Sequence, residues 1–158
     1  MHIRKTALMG CLVLAVAGGW AAGVLAQENG TSPAVTIFDH KQVDAGMAKP
    51  NFATLIRGKS GEGSYVVMTA SRDKPGAVEV HNLDLDVLYI LSGSATFVTG
   101  GTTVDAKTTA PNEIRGKSID GGESHHVSKG DVIVIPHGVP HWFKEVKGEV
   151  RYFVVKVH

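Results

Sequence analysis

The chain is 158 residues long, carries a formal charge of +1 and contains one cysteine, Cys11. That length suits a single domain with a real core, the near-balanced charge without a basic run excludes a nucleic-acid partner, and a lone cysteine excludes a disulfide framework.

At the N-terminus, His2, Arg4 and Lys5 precede an apolar run from Ala7 to about Ala26 that ends in Val24-Leu25-Ala26. This reads as a signal peptide over residues 1–26. Gly18, Gly19 and Gly23 interrupt the run, so cleavage after Ala26 is favoured over a retained membrane anchor. Cys11 has its apolar region after it, the reverse of a lipidation site. Cleavage removes Arg4, Lys5 and no acid, which turns the formal +1 into −1 and leaves a mature chain without cysteine. A periplasmic or secreted protein without a stable membrane anchor is expected, stabilised by core packing and not by disulfides.

Residues 27–50 are expected to form a lead-in and a first strand at Val35–Phe38, followed by a β-domain over 51–158. Its strands are predicted at Phe52–Arg57, Tyr65–Ala70, Val78–His81, Val87–Leu91, Ala95–Thr99, Val132–Ile135, His141–Val146 and Tyr152–Val157. No long helix competes with them. Gly61-Glu62-Gly63, Pro75-Gly76, Ser92-Gly93, Gly100-Gly101, Gly121-Gly122, Gly130-Asp131 and Gly148 supply turn chemistry between the strands, a spacing typical of a sandwich or barrel. Thr99-Gly100-Gly101-Thr102 is expected to close a tight hairpin. Residues 104–123 are polar and poorly periodic, and are expected to cross the barrel mouth as a long excursion, with room for a short strand.

Chemistry concentrates in Gly130-Asp131-Val132-Ile133-Val134-Ile135-Pro136-His137-Gly138-Val139-Pro140-His141, where an apolar strand ends in a Pro-x-Gly turn followed by histidine. This resembles the second motif of the cupin family, with every fixed position to the histidine present and Glu145 where an asparagine often closes the motif. The first cupin motif is matched less fully by Gly76 to Gly93. Asp86 stands seven positions before Gly93, where the family has glutamate, and counting back from it places His81 and Glu79 at the two histidine positions. The resemblance implies an all-β, cupin-type double-stranded β-helix, or jelly-roll barrel, often dimeric, so a homodimer is allowed.

Glu79 and His81 lie two apart on one strand and share a face. Through the resemblance that face is inside the barrel, where Glu79, His81, Asp86 and His141 would ring a metal. Two imidazoles and two carboxylates suit divalent manganese, iron, nickel or zinc, and ligand type does not choose among them. The alternative leaves Glu79 and Asp86 at the rim and His81 hydrogen-bonding its neighbours. Of His125-His126, one faces the pocket at most; resemblance to small cupins with a Gly-Gly-x-x-His segment points to His125, as a proton-transfer residue or a further metal neighbour, with a surface-loop role the equal alternative. Tyr89, Phe97, Trp142, Phe143 and Phe153 are assigned to the hydrophobic layers, and Arg115 to a solvated loop.

The functional expectation is a metal-dependent enzyme of dioxygenase, isomerase or lyase type, acting on a small oxygenated or carboxylated metabolite. A non-catalytic protein binding a small molecule or metal is the alternative, ahead of a structural homo-oligomer. No phosphate-binding loop, Gly-x-Ser-x-Gly elbow or mature cysteine nucleophile offers another chemistry.

Overall fold

A computed structural model describes residues 35–158. The expected signal peptide and its cleavage point lie outside the described residues. Among the described residues one helix, α1 (His40–Met47), precedes eleven strands: β1 (Phe52–Ser60), β2 (Gly63–Arg72), β3 (Val78–His81), β4 (Leu85–Thr99), β5 (Thr102–Val104), β6 (Lys107–Ala110), β7 (Glu113–Gly116), β8 (Ser118–Asp120), β9 (Glu123–Ser128), β10 (Val132–Ile135) and β11 (His141–Val157). The architecture is all-β, as expected.

Nine strands form one curled sheet. Its main path runs β1-β2-β11-β3-β7-β6, while β4 pairs with β9, β10 and β11. The two longest strands organise it. Paired antiparallel along most of their lengths, β4 and β11 bend together, with Gly93 at φ +80° facing the register shifts between Lys147 and Tyr152. A Cβ at Gly93 would overlap the Glu149 carbonyl oxygen, so the position admits only glycine. The expected turns at Ser92-Gly93 and Gly148 are therefore bends inside continuous strands.

Three other expectations are corrected. Val35–Phe38 is not a strand; Val35 and Ile37 are exposed, and the chain turns into α1 through a capping box. There the Asp39 carboxylate accepts from the Gln42 backbone N–H and the Gln42 side chain accepts from the Asp39 N–H, which satisfies otherwise orphaned donors. Gly46 and Met47 bury the helix end beside Leu55 and Thr69. Gly100-Gly101 does not close a hairpin, because β4 pairs with β9 up to Thr99↔Glu123 and β5 with β8 from Thr102↔Asp120. These two ladders keep one register across a kink formed by Gly100-Gly101 and Gly121-Gly122, with positive φ at Gly100, Gly101 and Gly121. The excursion at 104–123 folds into β6, β7 and β8, and β7 docks along β3.

The inner faces enclose Met68, Leu88, Ile90, Phe97, Phe143, Tyr152 and Val154. Phe97, 1% exposed, meets Phe143 edge-on with ring centroids 4.8 Å apart and lies 6.2 Å from the His141 ring. The core thus reaches the histidine. Tyr89 departs from its assignment to the hydrophobic layers: it lies on the outer face, 45% exposed, beside exposed Val132 and Val134.

Candidate metal centre

Strand register assembles the centre. Glu79 on β3 is directly opposite His141 on β11 and Arg115 on β7, and His81 is opposite Glu113. On the neighbouring ladders, Asp86 of β4 is opposite Lys156 of β11. The Pro136-His137-Gly138 turn delivers His141 to its place: the Gly138 N–H donates to the His81 carbonyl at 2.7 Å, and Gly138 has φ +75°. Trp142 then fixes the strand start by donating from Nε1 to the Gly76 carbonyl at 2.7 Å.

Glu79, His81 and His141 each point one ligand atom at a shared space, all within 4.8 Å of one another. Glu79 Oε2 lies 3.6 Å from His81 Nε2 and 3.9 Å from His141 Nε2. The opposite ring nitrogens are already engaged. His141 Nδ1 donates to the Val139 carbonyl at 3.1 Å, which leaves the Nε2 lone pair free toward Glu79. His81 Nδ1 donates to Glu113 Oε2 at 2.8 Å, while its Nε2 is buried without a hydrogen-bond partner. A histidine held by a carboxylate on one nitrogen, with the other facing further potential ligands and making no hydrogen bond, is the arrangement a metal ligand needs. An orphaned buried imidazole nitrogen beside a carboxylate and a second free imidazole fits a divalent cation.

Asp86, the fourth expected ligand, is 3% exposed and lies 3.4 Å from His81 Nε2. Its Oδ2 accepts from Lys156 Nζ at 2.6 Å, and its Oδ1 is buried without a partner. It stands next to the group of three, engaged by a lysine. Neither Glu79 nor Asp86 lies on an open rim. His125 is half-buried, with Nε2 3.2 Å from the Thr99 hydroxyl and 4.0 Å from Glu123. It shares the face of its cross-strand partner Phe97, and Thr99 is the cross-strand partner of His141, whereas His126 is exposed.

Glu113, Arg115 and Lys156 complete the centre, and the sequence reading did not place them there. Arg115 is no solvated loop residue: its guanidinium bridges Glu79 Oε1 and Glu113 Oε1, each at 2.5 Å, and Arg72 Nη2 adds a longer contact of 3.8 Å to Glu79. The charges act on the titrating groups. Burial would raise the Glu79 pKa, but the neighbouring His81 imidazole and the charges of Arg115, His141 and Arg72 prevail and hold it at about 2. Burial would lower the His81 pKa, yet its hydrogen bond to Glu113 and the nearby Glu79 carboxylate push it up to about 9. For His141 burial wins and lowers the pKa, with the Val139 hydrogen bond opposing. Glu113 is lowered, since its bond to His81 and the His81 and Arg115 charges outweigh burial.

A separate cleft of about 270 Å³, lined by Arg57, Tyr65, Asp84, Lys156 and His158 among others, meets the centre only through Lys156. No helix among the described residues is long and apolar enough to cross a membrane.

Comparison with curated proteins gave no match. Among solved structures, a Bacillus halodurans protein superposes with a TM-score of 0.51 at 14% identity, over 76% of this chain and 80% of its own. An uncharacterized conserved protein with a double-stranded β-helix domain from Klebsiella pneumoniae aligns with a TM-score of 0.48 at 18% identity, over 78% and 90% of the two chains. The Bacillus halodurans likeness supports the fold and nothing finer. The family model described as Cupin matches residues 63–158, from the start of β2 to the last residue and across every residue of the centre. The chain belongs to the cupin family.

Proposed function

We propose that the mature protein is an exported, metal-dependent cupin enzyme acting on a small oxygenated or carboxylated metabolite, with divalent manganese, iron, nickel or zinc held by Glu79, His81 and His141. One observation carries the reading: two imidazole Nε2 atoms and a carboxylate oxygen converge while both Nδ1 atoms are committed elsewhere. Asp86, the fourth ligand expected from the motif, is engaged by Lys156 and would join the set only on release from that lysine. Three protein ligands leave positions for water or substrate, as in catalytic rather than structural sites. A bound ion there supplies Lewis acidity toward a substrate oxygen, and a redox-active one supplies oxygenase chemistry.

The chain's own residues orient and hold protons. Lys156 and Arg115 keep the surrounding carboxylates balanced, and His125, beside the Thr99 hydroxyl, is the proton-transfer residue. A homodimer fits the same reading, because Tyr89, Val132 and Val134 present an apolar outer face. Calorimetric titration of metal-free protein with each of the four ions tests the assignment. Wild type is expected to take up one ion, and His81→Ala and His141→Ala to lose at least about 100-fold in affinity. Undiminished uptake by both variants would place the metal elsewhere. Uptake without turnover of any carboxylated or oxygenated metabolite would favour the non-catalytic binding protein.

A further inference from the structure

The geometry points to Glu113 and Arg115 as a two-residue clasp on β7 that positions the ligand atoms of His81 and Glu79 for the metal. The inference rests on the metal-binding reading above. Neither residue offers an atom to the shared space; both act through the residues that do.

Register explains how two residues serve two ligands. Glu113 and Arg115 are two apart on β7 and share one face, directly opposite His81 and Glu79, which are two apart on β3. Each ligand is thereby divided between two tasks. Glu79 gives Oε1 to Arg115 at 2.5 Å and keeps Oε2 toward the histidines. His81 gives Nδ1 to Glu113 at 2.8 Å, which orients the ring and leaves Nε2 as the nitrogen that gives up its proton to an ion. The clasp closes on itself, since the second arm of the Arg115 guanidinium forms an ion pair with Glu113 Oε1 at 2.5 Å. A planar fork spans two carboxylates at once, whereas a lysine ammonium acts as a single point charge. His141 needs no such partner because the Val139 carbonyl orients it.

The role is positional, so the test reads metal affinity and ligand-field spectrum. Metal-free wild type, Glu113→Gln, Arg115→Ala, Arg115→Lys and the Glu113→Gln/Arg115→Ala double variant are titrated with cobalt(II) against a competing chelator. Arg151→Ala, on a distant exposed pair with Glu149, controls for the loss of one positive charge. Each clasp variant is expected to bind cobalt about 10- to 100-fold more weakly, with an altered visible absorption spectrum at saturation. The double variant should fall within about threefold of the weaker single variant, because both changes break one bridge. Arg115→Lys should stay within about threefold of Arg115→Ala, because charge without the fork does not restore the clasp. Melting of the metal-free variants within a few degrees of wild type separates positioning from unfolding, and the conservative Gln and Lys variants carry the test if Arg115→Ala does not fold.

Cobalt binding within twofold of wild type and an unchanged spectrum in the clasp variants would overturn the clasp and leave the metal site standing. So would a loss in Arg151→Ala as large as that in Arg115→Ala, which would reduce the effect to net charge. Failure of wild type itself to bind cobalt would remove both readings together.

Discussion

Phe97→Ala is expected to cost about 3–5 kcal/mol of folding free energy, because it empties the centre of a close-packed core. Phe97 is 1% exposed, packs edge-on against Phe143 and lies one cross-strand step from His125. For a domain of this size the loss corresponds to a fall in Tm of about 10–20 °C. The same ring lies 6.2 Å from the His141 ring, so truncation also loosens one wall of the candidate metal centre. Val134→Ala, on the outer face at 57% exposure, should cost less than about 0.5 kcal/mol in the monomer. Urea unfolding of both variants checks the contrast, and equal small costs would mean that the interior is not organised around Phe97.

Acidity should move stability and metal affinity in opposite directions. In the metal-free protein the His81 pKa is raised from 6.5 to about 9, so its stabilising contribution is complete below pH 6.5 and disappears as pH rises through about 9. The Glu79 pKa is lowered from 4.5 to about 2, so its contribution is complete above pH 4.5 and disappears as pH falls through about 2. Together these two groups favour the metal-free fold most between pH 4.5 and 6.5. An ion at His81 must displace the proton on its ring, whereas His141, with its pKa lowered, is already neutral near pH 7. Apparent metal affinity should therefore rise about tenfold per pH unit from pH 6.5 toward pH 9, while metal-free stability falls across the same interval. Chemical denaturation and chelator competition at matched pH values measure the two slopes. Parallel slopes would mean that His81 carries no proton for the ion to displace.

The legible part of the fold was the part with strong periodicity. Val132–Ile135, the Pro136-x-Gly138 turn and His141 occur in the structure where the sequence places them, because a turn that needs positive φ at glycine leaves little choice of register. Strand ends were harder. Gly93 and Gly148 read as turns, yet both allow positive φ inside strands that continue past them, and only long-range pairing separates a bend from a reversal. The helix was missed although Asp39-His40-Lys41-Gln42 carries its start signal: an Asp with a Gln three residues on is a capping signature, overridden by apolar Val35, Ile37 and Phe38, which read as a strand.

The centre was legible to a similar depth. Glu79, His81 and His141 followed from motif spacing and meet in the structure. Glu113 and Arg115 did not, because β7 is a four-residue strand in a polar stretch whose only cue is that the two share a face. Lys156 left a clearer trace. In Tyr152–Val157 it has the parity of inward-facing Tyr152 and Val154, so a lysine there required an acidic partner inside, and Asp86 is that partner.

Elemental analysis of the protein, purified without chelators or a metal-affinity tag, tests the central claim most directly. Close to one equivalent of manganese, iron, nickel or zinc per chain, lost in His81→Ala and His141→Ala, is the result expected from the convergence of Glu79, His81 and His141. Metal-free protein that also refuses all four added ions would contradict it, and would leave the buried His81 Nε2 as a feature of a binding pocket without metal.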